Sequence, residues 1–185
     1  MTRDELRDAL TRYALLEGDF VLRSGRRSRW YLDKYRFSTR PELLSALGER
    51  IAAKVAEVEP EAVRLAAPEL GAVPLAAAAS LSSGLPFIIV RRTAKQYGTG
   101  NRIEGERERG ERVCLVEDIV TTGGAAVDAI QALRDAEIEC RSAVCVVDRE
   151  EGGADELARR AVRLHALFGA TELLEAAKSA ANPHR

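Results

Sequence analysis

The chain has 185 residues, of which 28 are basic and 29 acidic, for a formal charge of −1. That length is close to one α/β domain with a real buried core, and the near-cancellation of charge excludes the bulk basic field of a protein that binds DNA, RNA or an anionic membrane. Aromatic residues, at 5%, are too sparse for a base-stacking platform, so any anion site must be built locally.

From the N-terminus, Leu6, Leu10 and Tyr13 share one face of a helix predicted over 3–16, with Gly18 as its stop. Residues 20–25 and 28–33 follow as two short strands joined by a basic turn. Pro41 starts a helix to about residue 57, with Leu43, Leu44, Leu47 and Ile51 at helical spacing. Beyond Pro60, β-like runs at 63–67, 87–91, 113–117, 143–148 and 163–168 alternate with helices near 73–82, 125–136 and 155–161. A last helix is expected over 172–181. Such alternation predicts an α/β fold with a mainly parallel central sheet flanked by helices.

With no repeat, low-complexity tract or linker, one domain over 1–185 is the natural expectation. Residues of about 1–40 and the C-terminal helix lack the apolar surface to fold alone, so they should form a small hood over a core of about 41–168. Cys114, Cys140 and Cys145 lie in apolar runs without a Cys-x-x-Cys pair and read as small buried hydrophobes. His165 and His184 are too isolated for zinc, so no side-chain metal site is expected. No secretory pattern opens the chain, and no window approaches the roughly 18 to 20 apolar residues of a membrane span, so a cytoplasmic location is expected.

The richest stretch is Val113-Cys-Leu-Val-Glu117-Asp118-Ile119-Val120-Thr121-Thr122-Gly123-Gly124-Ala125. Its apolar run suits a strand buried on both faces, which places Glu117 and Asp118 at the carboxyl end, where open α/β sheets bind ligands. Hydroxyls and glycines then lead into a helix whose unpaired N–H groups and positive dipole end favour a phosphate. Acids beside that seat would repel a second phosphate but suit ribose hydroxyls or hydrated Mg2+. The inferred ligand is a ribose 5-phosphate. A P-loop is excluded because no lysine stands here, and Gly98-Thr-Gly100-Asn-Arg-Ile103 fails as a dinucleotide fingerprint at Ile103. An isolated Glu-Asp pair would more simply be a solvated strand end; the thirteen residues in order argue otherwise.

This segment resembles the phosphoribosyl-pyrophosphate (PRPP) signature of type I phosphoribosyltransferases, and the rest of the chain narrows the resemblance to the orotate phosphoribosyltransferases. The resemblance implies that Glu117 and Asp118 bind the ribose hydroxyls, with Ile119 and Val120 leading into a loop of Thr121, Thr122, Gly123, Gly124 and Ala125 around the 5-phosphate. Arg23-Ser24-Gly25 with Ser28, Tyr31 and Asp33 matches the family's hood pattern and implies base contacts from Arg23 and Tyr31, although a plain Ser-Gly hairpin fits the same residues locally. Glu69, Leu70 and Gly71 would form the pyrophosphate loop. Some members carry a lysine there; this chain does not, which leaves the contact to backbone N–H groups.

Residues 91–105 are rich in cations and glycines and could be a solvated surface hairpin. They also resemble the family's catalytic arm, which reaches the neighbouring subunit's site in a homodimer. Arg91, Arg92 and Lys95 match it, whereas Tyr97 stands where many members have histidine and brings no charge at neutral pH. The catalytic set so implied is Arg92, Lys95, Tyr97 and Asp118. Arg149 suits bidentate pairing with a carboxylate; by family position it contacts orotate together with Thr121, while a surface pair with Asp148 or Glu150 is the plain alternative.

The implied reaction joins orotate N1 to ribose C1 as pyrophosphate leaves, giving orotidine 5-monophosphate for UMP biosynthesis. Mg2+ would be carried mainly by PRPP and water. Alternatives are another purine or pyrimidine phosphoribosyltransferase, or a non-catalytic PRPP-sensing regulator on the same fold.

Overall fold

A computed structural model describes residues 1–21, 25, 27–93 and 102–181 of the chain. Of the residues singled out above, Arg23, Ser24, Lys95, Tyr97, Gly98, Gly100 and His184 lie outside the described residues.

Helix α1 (Arg3–Ala14) opens with a capping box: Glu5 N–H donates to Thr2 Oγ1 at 3.1 Å, and Thr2 N–H to Glu5 Oε2 at 2.8 Å. It ends two residues before the end expected at residue 16. Leu15 and Leu16 pair instead with Leu32 and Tyr31, so β1 (Leu15–Val21) and β2 (Arg27–Leu32) form an antiparallel ribbon with Gly18 inside a strand. Cross-strand pairing here overrides the helical continuation that local pattern suggested. The Asp33 carboxylate then accepts from Tyr35 N–H at 3.1 Å and caps α2 (Lys34–Ser38), a helix too short for periodicity to reveal. In α3 (Pro41–Val58), Leu43, Leu47, Ile51 and Val55 are all buried, each worth about 1.5 to 3 kcal/mol against exposure.

The main sheet and its crossovers follow: β3 (Arg64–Pro68), α4 (Ala72–Ser83), β4 (Phe87–Val90), β5 (Ile103–Glu104), β6 (Arg112–Val120), α5 (Gly124–Asp135), β7 (Glu139–Asp148), α6 (Gly153–Ala158), β8 (Arg163–Gly169) and α7 (Ala170–Ala181). Strand order is β5-β4-β3-β6-β7-β8, parallel except for β5 against β4. The expected mainly parallel α/β sheet is therefore present, with β5 added at an edge.

One face packs Cys114 and Val116 with Leu6, Leu47 and Leu75 from α1, α3 and α4. The other packs Val113 and Leu115 with Ala126, Ile130 and Leu133 of α5. Burial on both faces is why residues 113–116 are continuously apolar. The three cysteines are buried free thiols, and burial pushes Cys140 up to about 12.

Strand β6 continues past its acids, because Ile119 and Val120 pair with Val147 and Asp148 of β7. Glu117 and Asp118 thus lie within the strand and are 5% and 4% exposed, a correction to their expected place at its very end. At the opposite end of the chain, Arg3 ties α1 to α7. Its guanidinium pairs with Glu172 at 2.5 Å, donates to the Leu167 carbonyl at 3.0 Å and lies 4.7 Å from the centroid of the Phe168 ring. Among the described residues no helix is long and apolar enough to cross a membrane.

Candidate active site

A cleft of about 860 Å3 opens where β3, β4, β6 and β7 end, the ligand-binding edge of an open parallel sheet. It is lined by Tyr31, Glu69, Arg91, Arg92, Thr121, Thr122, Gly124, Ala125 and Arg149, all expected from sequence, together with Val21, Asp128 and Glu151, which were not.

The turn from β6 into α5 depends on Gly123, whose φ of +82° belongs to the left-handed region. A Cβ there would stand 2.9 Å from Leu157 Cδ1 and 3.2 Å from the Gly153 carbonyl oxygen. The first intrahelical bond, Val127 N–H to the Gly123 carbonyl, is 2.9 Å. Helix α5 begins at Gly124, with no side-chain cap. Its first-turn N–H groups have no intrahelical acceptor, so the end of the helix that lines the cleft presents donors and the positive end of the dipole.

Asp118 is held at both oxygens. Lys34 Nζ lies 2.8 Å from Oδ2, and Ile119 N–H donates to Oδ1 at 2.6 Å. Gly71 packs directly against it; a Cβ on Gly71 would fall 1.8 Å from Oδ2. Burial, and then the neighbouring Asp118 charge, raise the Glu117 carboxyl to about 8. For Lys34, burial disfavours the charge, but the hydrogen bond and attraction from Asp118 outweigh it, and its pKa lies above the ordinary lysine value. Sequence reasoning missed Lys34. Its one local signal is a cation directly behind the Asp33 cap.

Loop 69–71 contains a cis peptide between Glu69 and Leu70. Glu69 N–H donates to the Val90 carbonyl at 2.9 Å, and Glu69 Oε1 accepts from Arg92 N–H at 2.8 Å. The acid thus fastens this loop to the root of the basic segment. Leu70 is 65% exposed and Gly71 faces Asp118, so of the three expected loop residues only Glu69 lines the cleft. The root of the arm is a short ladder, with Ile89 opposite Glu104, Val90 opposite Ile103, and Arg91 N–H donating to the Arg102 carbonyl at 2.7 Å.

Arg149 pairs with Glu151 at 2.8 Å, neither with Asp148 nor with Glu150. Those two acids have other work: Asp148 Oδ1 accepts from Glu150 N–H at 2.8 Å, and Glu150 Oε2 accepts from Thr171 N–H at 3.0 Å. The second bond joins the Arg149 turn to the start of α7. Tyr31 reaches the cleft from the ribbon, its ring 5.4 Å from that of Phe20. Ile119 and Val120 belong to β6 and Gly123 is buried beneath the loop, so none of the three lines the cleft. Among the described residues no group of three or more His, Cys, Asp or Glu could hold a metal ion.

A parallel sheet whose central strand carries buried acids and runs into a Thr-Thr-Gly-Gly helix start defines a phosphoribosyltransferase fold, and the phosphoribosyl transferase domain family matches residues 39–164. Relatives refine this class. The chain is 52% identical over 159 residues to the orotate phosphoribosyltransferase of Halobacterium salinarum, covering 86% of this chain and 89% of the relative. The crystal structure of orotate phosphoribosyltransferase from Aeropyrum pernix matches with a TM-score of 0.81 at 32% identity, over 92% of this chain and 96% of that one. The Mycobacterium tuberculosis orotate phosphoribosyltransferase in complex with 5-phospho-alpha-D-ribosyl 1-diphosphate (PRPP) matches with a TM-score of 0.78 at 28% identity, over 92% and 98%. The chain belongs to the orotate phosphoribosyltransferase family.

Proposed function

We propose that the chain transfers the ribose 5-phosphate group of PRPP to N1 of orotate, yielding orotidine 5-monophosphate and pyrophosphate in pyrimidine biosynthesis. The observation that carries this reading is that the phosphate-suited start of α5 and the Arg149 guanidinium line one cleft. A phosphorylated sugar and a planar carboxylate can therefore be held side by side.

In this reading, residues 121–125 take the 5-phosphate, and Glu117 and Asp118 take the ribose hydroxyls. Loop 69–71 meets the diphosphate with backbone N–H groups, and Arg91, Arg92, Lys95 and Tyr97 serve the leaving group. Thr121, Arg149, Arg23 and Tyr31 hold orotate. No nucleophilic side chain is required. Orientation of the two substrates and neutralisation of the departing charge supply the rate.

The donor set fits a cation that arrives with its phosphates, since Glu117 holds its proton to about 8 and the Asp118 carboxylate already bonds Lys34 and Ile119 N–H. Bound Mg2+ would neutralise diphosphate charge. The family resemblance further supports a homodimer in which the arm beyond Arg92 serves the neighbouring site, one domain for the whole chain, and a cytoplasmic location.

Arg149 supplies the test. With Arg149→Ala, the orotate carboxylate loses a charge-assisted hydrogen bond worth about 1.5 to 3 kcal/mol, so the orotate KM should rise roughly tenfold to a hundredfold while the PRPP KM changes little. Steady-state kinetics with each substrate varied in turn decides it. An equal rise in both constants would mean that Arg149, through its Glu151 pair, supports the loop rather than the base.

A further inference from the structure

The loop between β3 and α4 reaches the cleft without a cation of its own, reading Pro68-Glu69-Leu70-Gly71. A departing diphosphate concentrates negative charge, and backbone N–H groups alone offer it only partial charges. A full positive charge nevertheless stands over this loop, delivered from another element. Lys34 Nζ, 2.8 Å from Asp118 Oδ2, is also 2.9 Å from the point where a Cβ on Gly71 would stand.

Two local features place it there. Asp33 caps α2 through Tyr35 N–H and so fixes where residue 34 leaves the backbone. Gly71 keeps clear the space that a side chain on the loop would fill, since even a Cβ would collide with Asp118. The first position of a helix is the wrong end of the dipole for an ammonium, so this lysine owes its position to Asp118 beside the Gly71 turn and not to its own helix. Its side chain is 32% exposed, open enough to change partner.

We infer that Lys34 is a binding residue for the diphosphate of PRPP, supplying from α2 the cation that loop 68–71 lacks. The inference rests on the phosphoribosyl transfer proposed above. In this structure the ammonium neutralises Asp118. When the ribose hydroxyls engage Asp118, the flexible four-carbon stem and three rotatable donors of lysine let it turn to the diphosphate oxygens above Gly71.

Calorimetric titration with Mg2+ present separates the parts of the ligand: PRPP, inorganic pyrophosphate and ribose 5-phosphate, each into the parent chain, Lys34→Met and Lys34→Arg. Lys34→Met should weaken pyrophosphate and PRPP by roughly tenfold to a hundredfold, the worth of a charge-assisted hydrogen bond. It should leave ribose 5-phosphate nearly unchanged, and Lys34→Arg should recover part of the loss. Lys34→Met also leaves Asp118 buried without its partner, so the pair Asp118→Asn and Asp118→Asn/Lys34→Met repeats the comparison with that charge removed. Pyrophosphate should weaken again in the double variant. A ribose 5-phosphate loss as large as the PRPP loss would overturn the inference, because the lysine would then act only through Asp118, and so would unchanged pyrophosphate affinity. A parent chain that bound PRPP and turned over orotate while Lys34→Met bound pyrophosphate normally would refute Lys34 alone; a parent that bound no PRPP would refute the functional reading and this inference with it.

Discussion

At 5% exposure and beside Asp118, a Glu117 carboxylate would lack the hydration that stabilises its charge and would meet a like charge, which is why the side chain holds its proton to about 8. The unfolded chain gives up that proton in the ordinary glutamate range. Between those two values the folded state binds more protons, so stability is full below the unfolded pKa and falls as pH rises through the folded one. Ionising Glu117 in place should cost on the order of a few kcal/mol by about pH 9. Glu117→Gln removes that dependence. Urea melts of both chains at pH 6 and pH 9 should show the variant gaining on the parent at the higher pH; parallel profiles would contradict the buried, protonated carboxyl. At this scale the sequence revealed the acids as a pair but not their state. Adjacency in the chain is visible, whereas burial and the Lys34 partner arise only when α2, β6 and the Gly71 turn meet.

The β6–α5 unit was the most legible element, because a two-faced core strand, a glycine turn and a helix each leave a local signature. The structure moved its boundaries. Strand β6 continues to Val120 and the helix starts at Gly124, since pairing with β7 and the left-handed turn at Gly123 set those limits. Two substitutions separate binding from folding here. Thr122 is exposed on the cleft wall, so Thr122→Val should weaken PRPP binding severalfold, the worth of one hydrogen bond at roughly 1 kcal/mol, with little change in stability. Gly123→Ala adds a Cβ against Leu157 at a positive φ and should also destabilise the fold by about 1 to 3 kcal/mol. Calorimetry and urea melts check both. Normal PRPP affinity in Thr122→Val would remove its hydroxyl from the phosphate seat. What hid from the sequence shares a cause: the first strand, expected from residue 20, begins at Leu15 where a helical pattern still runs, α2 has 5 residues and β5 has 2, so pairing and capping define them, not periodicity.

Across the whole molecule, the alternation of strands and helices made the parallel sheet legible, and the sheet fixes where the cleft lies. What the alternation could not give is how distant turns converge: Glu69 on Arg92, and Glu150 on Thr171 at the start of α7. The first fastens two loops on one side of the cleft and the second anchors the Arg149 turn on the other, and residues of both sides line one space. The reading of that space as the seat of phosphoribosyl transfer to orotate is tested most directly by following orotate absorbance when PRPP and Mg2+ are added to the purified chain. Loss of orotate absorbance should be matched by equal formation of orotidine 5-monophosphate and pyrophosphate, with none when PRPP is omitted. Unchanged orotate, with uracil or a purine base consumed in its place, would contradict it.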